Sequence, residues 1–256
     1  MQRALLASVF IVASCGLAYE LIAGALASYL LGDSVTQFST VIGAYLFAMG
    51  IGSWLSKHVG AASVSGLLVR FIQIELLVGL LGGLSAGLLF LLFTLHAGPF
   101  RFTLYGLVLL IGILVGLEIP LIMRILKRDV EFKDLVAQVL SFDYIGALAV
   151  SVLFPLLLAP HLGLVRSALL FGLLNALVAA WALWLFRDRI GRLAALRAQC
   201  AVVIGLLVLG FGFAGQFVGL AEANLYSEDI VHAESSPYQR IVVTKYRDET
   251  RLYLNH

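Results

Sequence analysis

Four carboxylic acids stand in stretches of sequence that are otherwise apolar: Glu20, Glu75, Glu118 and Asp143. A charge at the centre of a bilayer costs about 2.5–3.5 kcal/mol on insertion scales, so acids in such settings are seldom decorative. Two chemistries are open to them. They can line a cavity that binds a cation or relays protons, or they can be protonated or paired with Arg70 and Arg166 and so hold helices together. Pro120 bears on the same region. It cannot donate a backbone hydrogen bond and clashes with the carbonyl four residues earlier, which frees the Gly116 carbonyl beside Glu118. Tyr19, Tyr144, Gln73 and Asn175 are polar groups that extend such a network.

The elements that position these acids follow from composition. Hydrophobic residues make up 61% of the chain and charged residues 12%, with a mean hydropathy of +1.02. A soluble domain carries about a quarter charged residues, and so few cannot cover a water-facing surface. A bilayer removes that requirement, and a spanning helix needs about 20 apolar residues. Seven runs qualify: about 4–31, 36–56, 69–95, 102–124, 141–159, 162–186 and 198–219. Short links such as Gly32-Asp33-Ser34 and Arg187-Asp188-Arg189 separate them, and Pro160 with Gly163 marks a hairpin between the fifth and sixth.

Basic residues orient the spans. Arg3, Lys57, Arg124, Lys127, Arg128, Lys133, Arg187, Arg189, Arg192 and Arg197 fall on one side and Arg101 on the other. The positive-inside rule therefore places the N-terminus in the cytoplasm, and an odd number of spans puts the tail outside. Glu75, Glu118 and Asp143 then share the cytoplasmic third, with Glu20 nearer the middle. Gly79, Gly83 and Gly87 form one small-residue stripe, and Gly112 and Gly116 another. Such spacing lets backbones approach in lipid, either within the bundle or across a homodimer.

Other motifs carry little. Val12-Ala13-Ser14-Cys15 has the form of a lipid-attachment signal, but the apolar run continues to Leu31, as in a first spanning helix. Gly210, Gly212 and Gly215 spell GxGxxG inside an apolar span, where no strand–turn–helix context exists. His58, His96 and His161 lie near span ends at unpaired depths, and Cys15 and Cys200 form no CxxC, so no metal site is expected. A net charge of +2 and the lack of a basic stripe argue against nucleic acid.

Beyond Gly219 the character changes. Ile230–Ala233, Ile241–Tyr246 and Leu252–Leu254 read as short strands, and Arg247-Asp248-Glu249-Thr250 as a hairpin turn. A hairpin this small is marginal alone and needs a partner domain. The segments Tyr226-Ser227-Glu228-Asp229, Ser235-Ser236-Pro237-Tyr238-Gln239-Arg240-Ile241-Val242-Val243 and Leu252-Tyr253-Leu254-Asn255 resemble the start of a spermidine synthase. Ala18-Tyr19-Glu20, Gly116-Leu117-Glu118-Ile119-Pro120 and Phe142-Asp143-Tyr144-Ile145-Gly146-Ala147-Leu148 are similar to the membrane domain of membrane-fused members of that family.

The resemblance implies transfer of an aminopropyl group from decarboxylated S-adenosylmethionine, a co-substrate, to putrescine. Gln239 matches a glutamine that contacts substrate, and Tyr238 shapes the same cleft. The sequence stops before the family's glycine-rich nucleotide loop and catalytic aspartate, so no catalytic residue is expected here. The expected architecture is an all-α membrane protein: a seven-helix transmembrane bundle over 1–219 and a β-hairpin tail over 220–256, in the plasma membrane. The expected role is the membrane portion of a spermidine-synthase-like protein whose catalytic domain lies elsewhere, with a polyamine as candidate ligand. The alternative is a polyamine or cation transporter without transferase activity.

Overall fold

The computed structural model describes residues 2–59, 63–95, 100–127, 131–191, 193–225, 229–235, 240–246 and 249–254. Seven α-helical segments precede three strands: α1 (Gln2–Leu31), α2 (Ser34–Leu55), α3 (Val64–Leu95), α4 (Phe100–Leu126), α5 (Phe132–Leu153), α6 (Ala159–Leu185) and α7 (Leu193–Leu225), then β1 (Asp229–Ser235), β2 (Arg240–Tyr246) and β3 (Glu249–Leu254). The α1–α2 turn is made by two consecutive residues with positive φ, Gly32 (70°) and Asp33 (45°). Asp33 caps α2 by accepting a hydrogen bond from the Thr36 amide at 3.3 Å. Hydrogen bonds from the Thr36 side chain and backbone hold its carboxyl below the usual carboxylate range.

The expectation of a seven-helix transmembrane bundle with a hairpin tail is corrected on two counts. Among the described residues six runs, not seven, are long and apolar enough to cross a membrane, by length and composition; the longest, residues 132–185, is two helices joined across a kink at Gly163. The hairpin expected near Pro160 and Gly163 is present: α5 runs on through a π-helical turn, Phe154–Leu158, and the chain folds back at Gly163, so that neighbouring residues of α1, Ser14 and Cys15, meet Gly146 of α5 and Phe171 of α6. Pro155 stands in that turn, and the wider spacing accommodates a residue that cannot donate. The one departure from helical geometry in α6 is Gly163, with φ 73° and ψ 172°. The tail, secondly, is a three-stranded antiparallel sheet in the order β1-β2-β3, not a hairpin. Its register pairs Val243 with Leu252 and Ile241 with Leu254, and a bulge lies between Ile230 and His232.

Close approach of backbones assembles the helices. At Gly79, Gly83 and Gly172, α3 and α6 touch so tightly that a Cβ on Gly172 would lie 2.5 Å from the Gly79 carbonyl oxygen. A second seam joins α2 to α4, where Gly52 lies against Ile113, Gly112 against Ala48 and Gly116 against the Met49 backbone. Both glycine stripes are thus used within the chain. Against α1, Gly146 of α5 lies on the Phe10 carbonyl, and the Ser14 hydroxyl donates to the carbonyls of Phe10 (2.8 Å) and Gly146 (3.1 Å). Arg124, at the end of α4, donates to the Ser56 and Val59 carbonyls at 2.9 and 3.1 Å and so closes the C-terminus of α2. Enclosure is uneven: 67% of the most apolar stretch of α1 is buried but only 11% of that of α7, which makes α1 the centre and α7 the periphery.

Candidate functional site

The interior polar groups gather where α1, α2, α3 and α4 meet. Gly82 has no side chain, and the Tyr19 ring lies in the space a Cβ would take, which fixes Tyr19 between α1 and α3. Gly16 does the same on the facing side of α1, where a Cβ would meet Val115 at 2.9 Å. The Tyr45 hydroxyl of α2 donates to the Gly16 carbonyl at 2.8 Å. Cys15 donates weakly to the Phe171 carbonyl of α6 at 3.5 Å. These anchors set the level at which the acids sit.

Glu75 on α3 is completely buried and Glu118 on α4 nearly so, at 0% and 1% exposure. Val115, against Gly16, is one turn from Glu118, and Tyr19, against Gly82, links α1 to the helix that bears Glu75. Each therefore lies within electrostatic reach of the other and of Cys15 and Tyr19. Asp143 is half-buried on α5, one turn before Gly146, and its charge reaches Glu118. The structure thus brings Glu75, Glu118 and Asp143 together. Glu20 is buried on α1 and meets the group only through Tyr45.

Several of these groups make no hydrogen bond: both carboxylate oxygens of Glu75, Oε1 of Glu118, the Tyr19 hydroxyl, and both amide atoms of Asn175. Buried polar atoms are nearly always bonded, so such a concentration is unusual. Arg70 and Arg166 are exposed, and among the described residues no ion pair involves either of them. Tyr144 is exposed and Gln73 half-buried. Beside the cluster, Tyr19, Ala23, Tyr45, Ser85 and Leu89 border a cavity of about 10 Å³, room for roughly one water centre.

Sequence reasoning missed Tyr45 and Cys15. A single tyrosine in an apolar helix and a cysteine in an apolar run both read as packing residues, and only their long-range partners give them away. Among the described residues, no group of three or more His, Cys, Asp or Glu is placed to hold a metal. His58 packs edge-on to Trp54, and His161 Nδ1 meets the Leu157 carbonyl at 2.9 Å. His96, Tyr238 and Gln239 lie outside the described residues. The strand that follows Gln239, β2, buries Val242 and Thr244 on one face.

No family model matches the chain, and no solved structure does. Curated relatives do match. Two proteins of Ralstonia nicotianae, named polyamine aminopropyltransferase 2 and polyamine aminopropyltransferase 1, are each 59% identical over 256 residues. The matches cover 98% of this chain and 50% and 48% of those proteins. The polyamine aminopropyltransferase of Leptospira interrogans is 51% identical over 255 residues, covering 100% of this chain and 50% of that protein. The chain spans about half the length of the curated relatives it matches.

These relatives correct the functional expectation. Proteins that match nearly all of this chain are named aminopropyltransferases, so the alternative of a polyamine or cation transporter has no support. The companion expectation, a module lacking its catalytic domain, is withdrawn as well: it rested only on where the sequence stops.

Proposed function

We propose that this chain works in a polyamine aminopropyltransferase, passing an aminopropyl group from decarboxylated S-adenosylmethionine to putrescine. The observation that carries this reading is 59% identity to proteins of that name across 98% of the chain. In such a transfer the amine lone pair attacks the methylene carbon bound to the sulfonium sulfur. The carbon–sulfur bond breaks with its electrons going to sulfur, which leaves as a neutral thioether, and the amine nitrogen gives up a proton. The enzyme must hold a polycationic acceptor with one nitrogen unprotonated. Gln239 and Tyr238, just ahead of β2, are the proposed substrate contacts on this chain. The apolar helices are proposed to lie in the plasma membrane with the N-terminus facing the cytoplasm. Apolar length supports the bilayer, and the bias of lysine and arginine supports the orientation.

The test is direct. The protein expressed from its own gene, purified in detergent, should convert putrescine and decarboxylated S-adenosylmethionine to spermidine. Gln239→Ala should raise the putrescine KM about tenfold, the size expected for losing one hydrogen bond to a charged group. No detectable spermidine from well-folded protein would end the reading. Reporter fusions after Met1 and after His256 would establish the side of each terminus.

A further inference from the structure

The interior carboxylates present acceptors without donors. Both oxygens of Glu75 and Oε1 of Glu118 are buried and unbonded, on side chains near enough to repel one another as anions. The Tyr19 hydroxyl, itself buried and unbonded, faces the same field. Buried acceptors call for donors, and buried negative charge calls for positive charge. Arg70 and Arg166 are exposed and supply neither. A calcium or magnesium ion asks for six or more oxygens, protein or water, and among the described residues no group of three or more His, Cys, Asp or Glu is placed to hold a metal. A primary ammonium brings one positive charge and three N–H donors, which matches the three unbonded carboxylate oxygens.

Asp143 extends the match outward. It lies half-buried one turn from the α1–α5 contact at Gly146, and its charge reaches Glu118. Acids are therefore laid out from a half-exposed position to a closed one, a layout suited to a ligand with charge at both ends. We propose that the helical interior is a second binding site for a linear aliphatic diamine or polyamine, with one ammonium between Glu75 and Glu118 beside Tyr19 and the next at Asp143. It rests on the proposed aminopropyl transfer for the source of its ligand, and it is separate from Tyr238 and Gln239. Through it the polyamine level acts on the helices themselves.

Equilibrium binding of radiolabelled putrescine to the detergent-purified protein, without the aminopropyl donor, tests the site. Wild type should bind two putrescines per chain. Glu75→Gln and Glu118→Gln should each weaken one of the two by at least tenfold, and Gln239→Ala only the other. Asp143→Asn should weaken putrescine at least fivefold while leaving butylamine, which has one ammonium, within twofold. Gel filtration and thermal melting check that the glutamine variants fold, and the half-exposed Asp143→Asn reads the site should they not. Unchanged two-site binding in all three acid variants would overturn the proposal, as would a single site sensitive only to Gln239→Ala. Loss of one site in Glu118→Gln by a protein that makes no spermidine would uphold the site and defeat the reaction reading instead.

Discussion

Within two residues of each other on α4, Gly116 and Glu118 belong to regions built on opposite rules. The α2–α4 seam, of which Gly116 is part, sets Gly52 and Gly116 directly against the backbone of the facing helix. The carboxylate cluster around Glu118 keeps several polar atoms with no partner. Dense small-residue contact supplies cohesion through close packing of backbone atoms. Unbonded polar atoms do the reverse, since each buried one costs about 1–3 kcal/mol. One region holds the helices together; the other spends that stability on a site.

The contrast can be broken experimentally at four places. The largest effect is expected at Gly116→Val, whose Cβ would run into the Met49 backbone. A loss of about 3 kcal/mol, the upper end for overpacking, should show in reversible unfolding in mixed micelles. Gly43→Val is the control, since nothing lies within 4 Å of a Cβ there. Next, Glu75→Met should stabilise the fold by about 2 kcal/mol, because it removes two orphaned acceptors and keeps the volume. If it destabilises, the cluster is structural and the comparison fails. Tyr45→Phe removes one interhelical hydrogen bond, to the Gly16 carbonyl, and should cost about 0.6–1 kcal/mol.

The smallest effect is at Asp33, which is exposed and far from both regions. Its carboxyl is held below the ordinary range by Thr36. A depressed folded-state pKa stabilises above the ordinary carboxylate range and loses that contribution as pH falls through the depressed value. Asp33→Ala should therefore melt slightly earlier than wild type at neutral pH and indistinguishably from it once the solution is acid enough to protonate Asp33.

Much of the helical part is legible in the sequence because apolar length is a strong signal. The four acids stand out for the same reason, since each falls inside a long apolar run. What could not be read is which helices meet. Cys15 and Phe171 are 156 positions apart, and nothing in either run announces the other. The junction near Pro160 and Gly163 was legible for a physical reason: the π turn at Phe154–Leu158 carries the helix past Pro155, but Gly163 leaves helical geometry and the chain folds back there. The tail's strands follow its β-branched residues, and all three were legible; what pairing adds is that β1 joins the β2–β3 hairpin to make a three-stranded sheet. Tyr238 and Gln239 could be named only through resemblance, as no spacing singles them out.

Gly163 carries a consequence of handedness. At φ 73° and ψ 172° it occupies a region closed to L-amino acids, although a Cβ there would touch nothing within 4 Å. The objection to a side chain is therefore purely stereochemical. Its mirror image is ordinary extended backbone, so D-alanine introduced by chemical ligation should be accepted at 163 where L-alanine strains the chain. A mirror-image residue would then mark the point at which α5 and α6 are turned on one another by an achiral link.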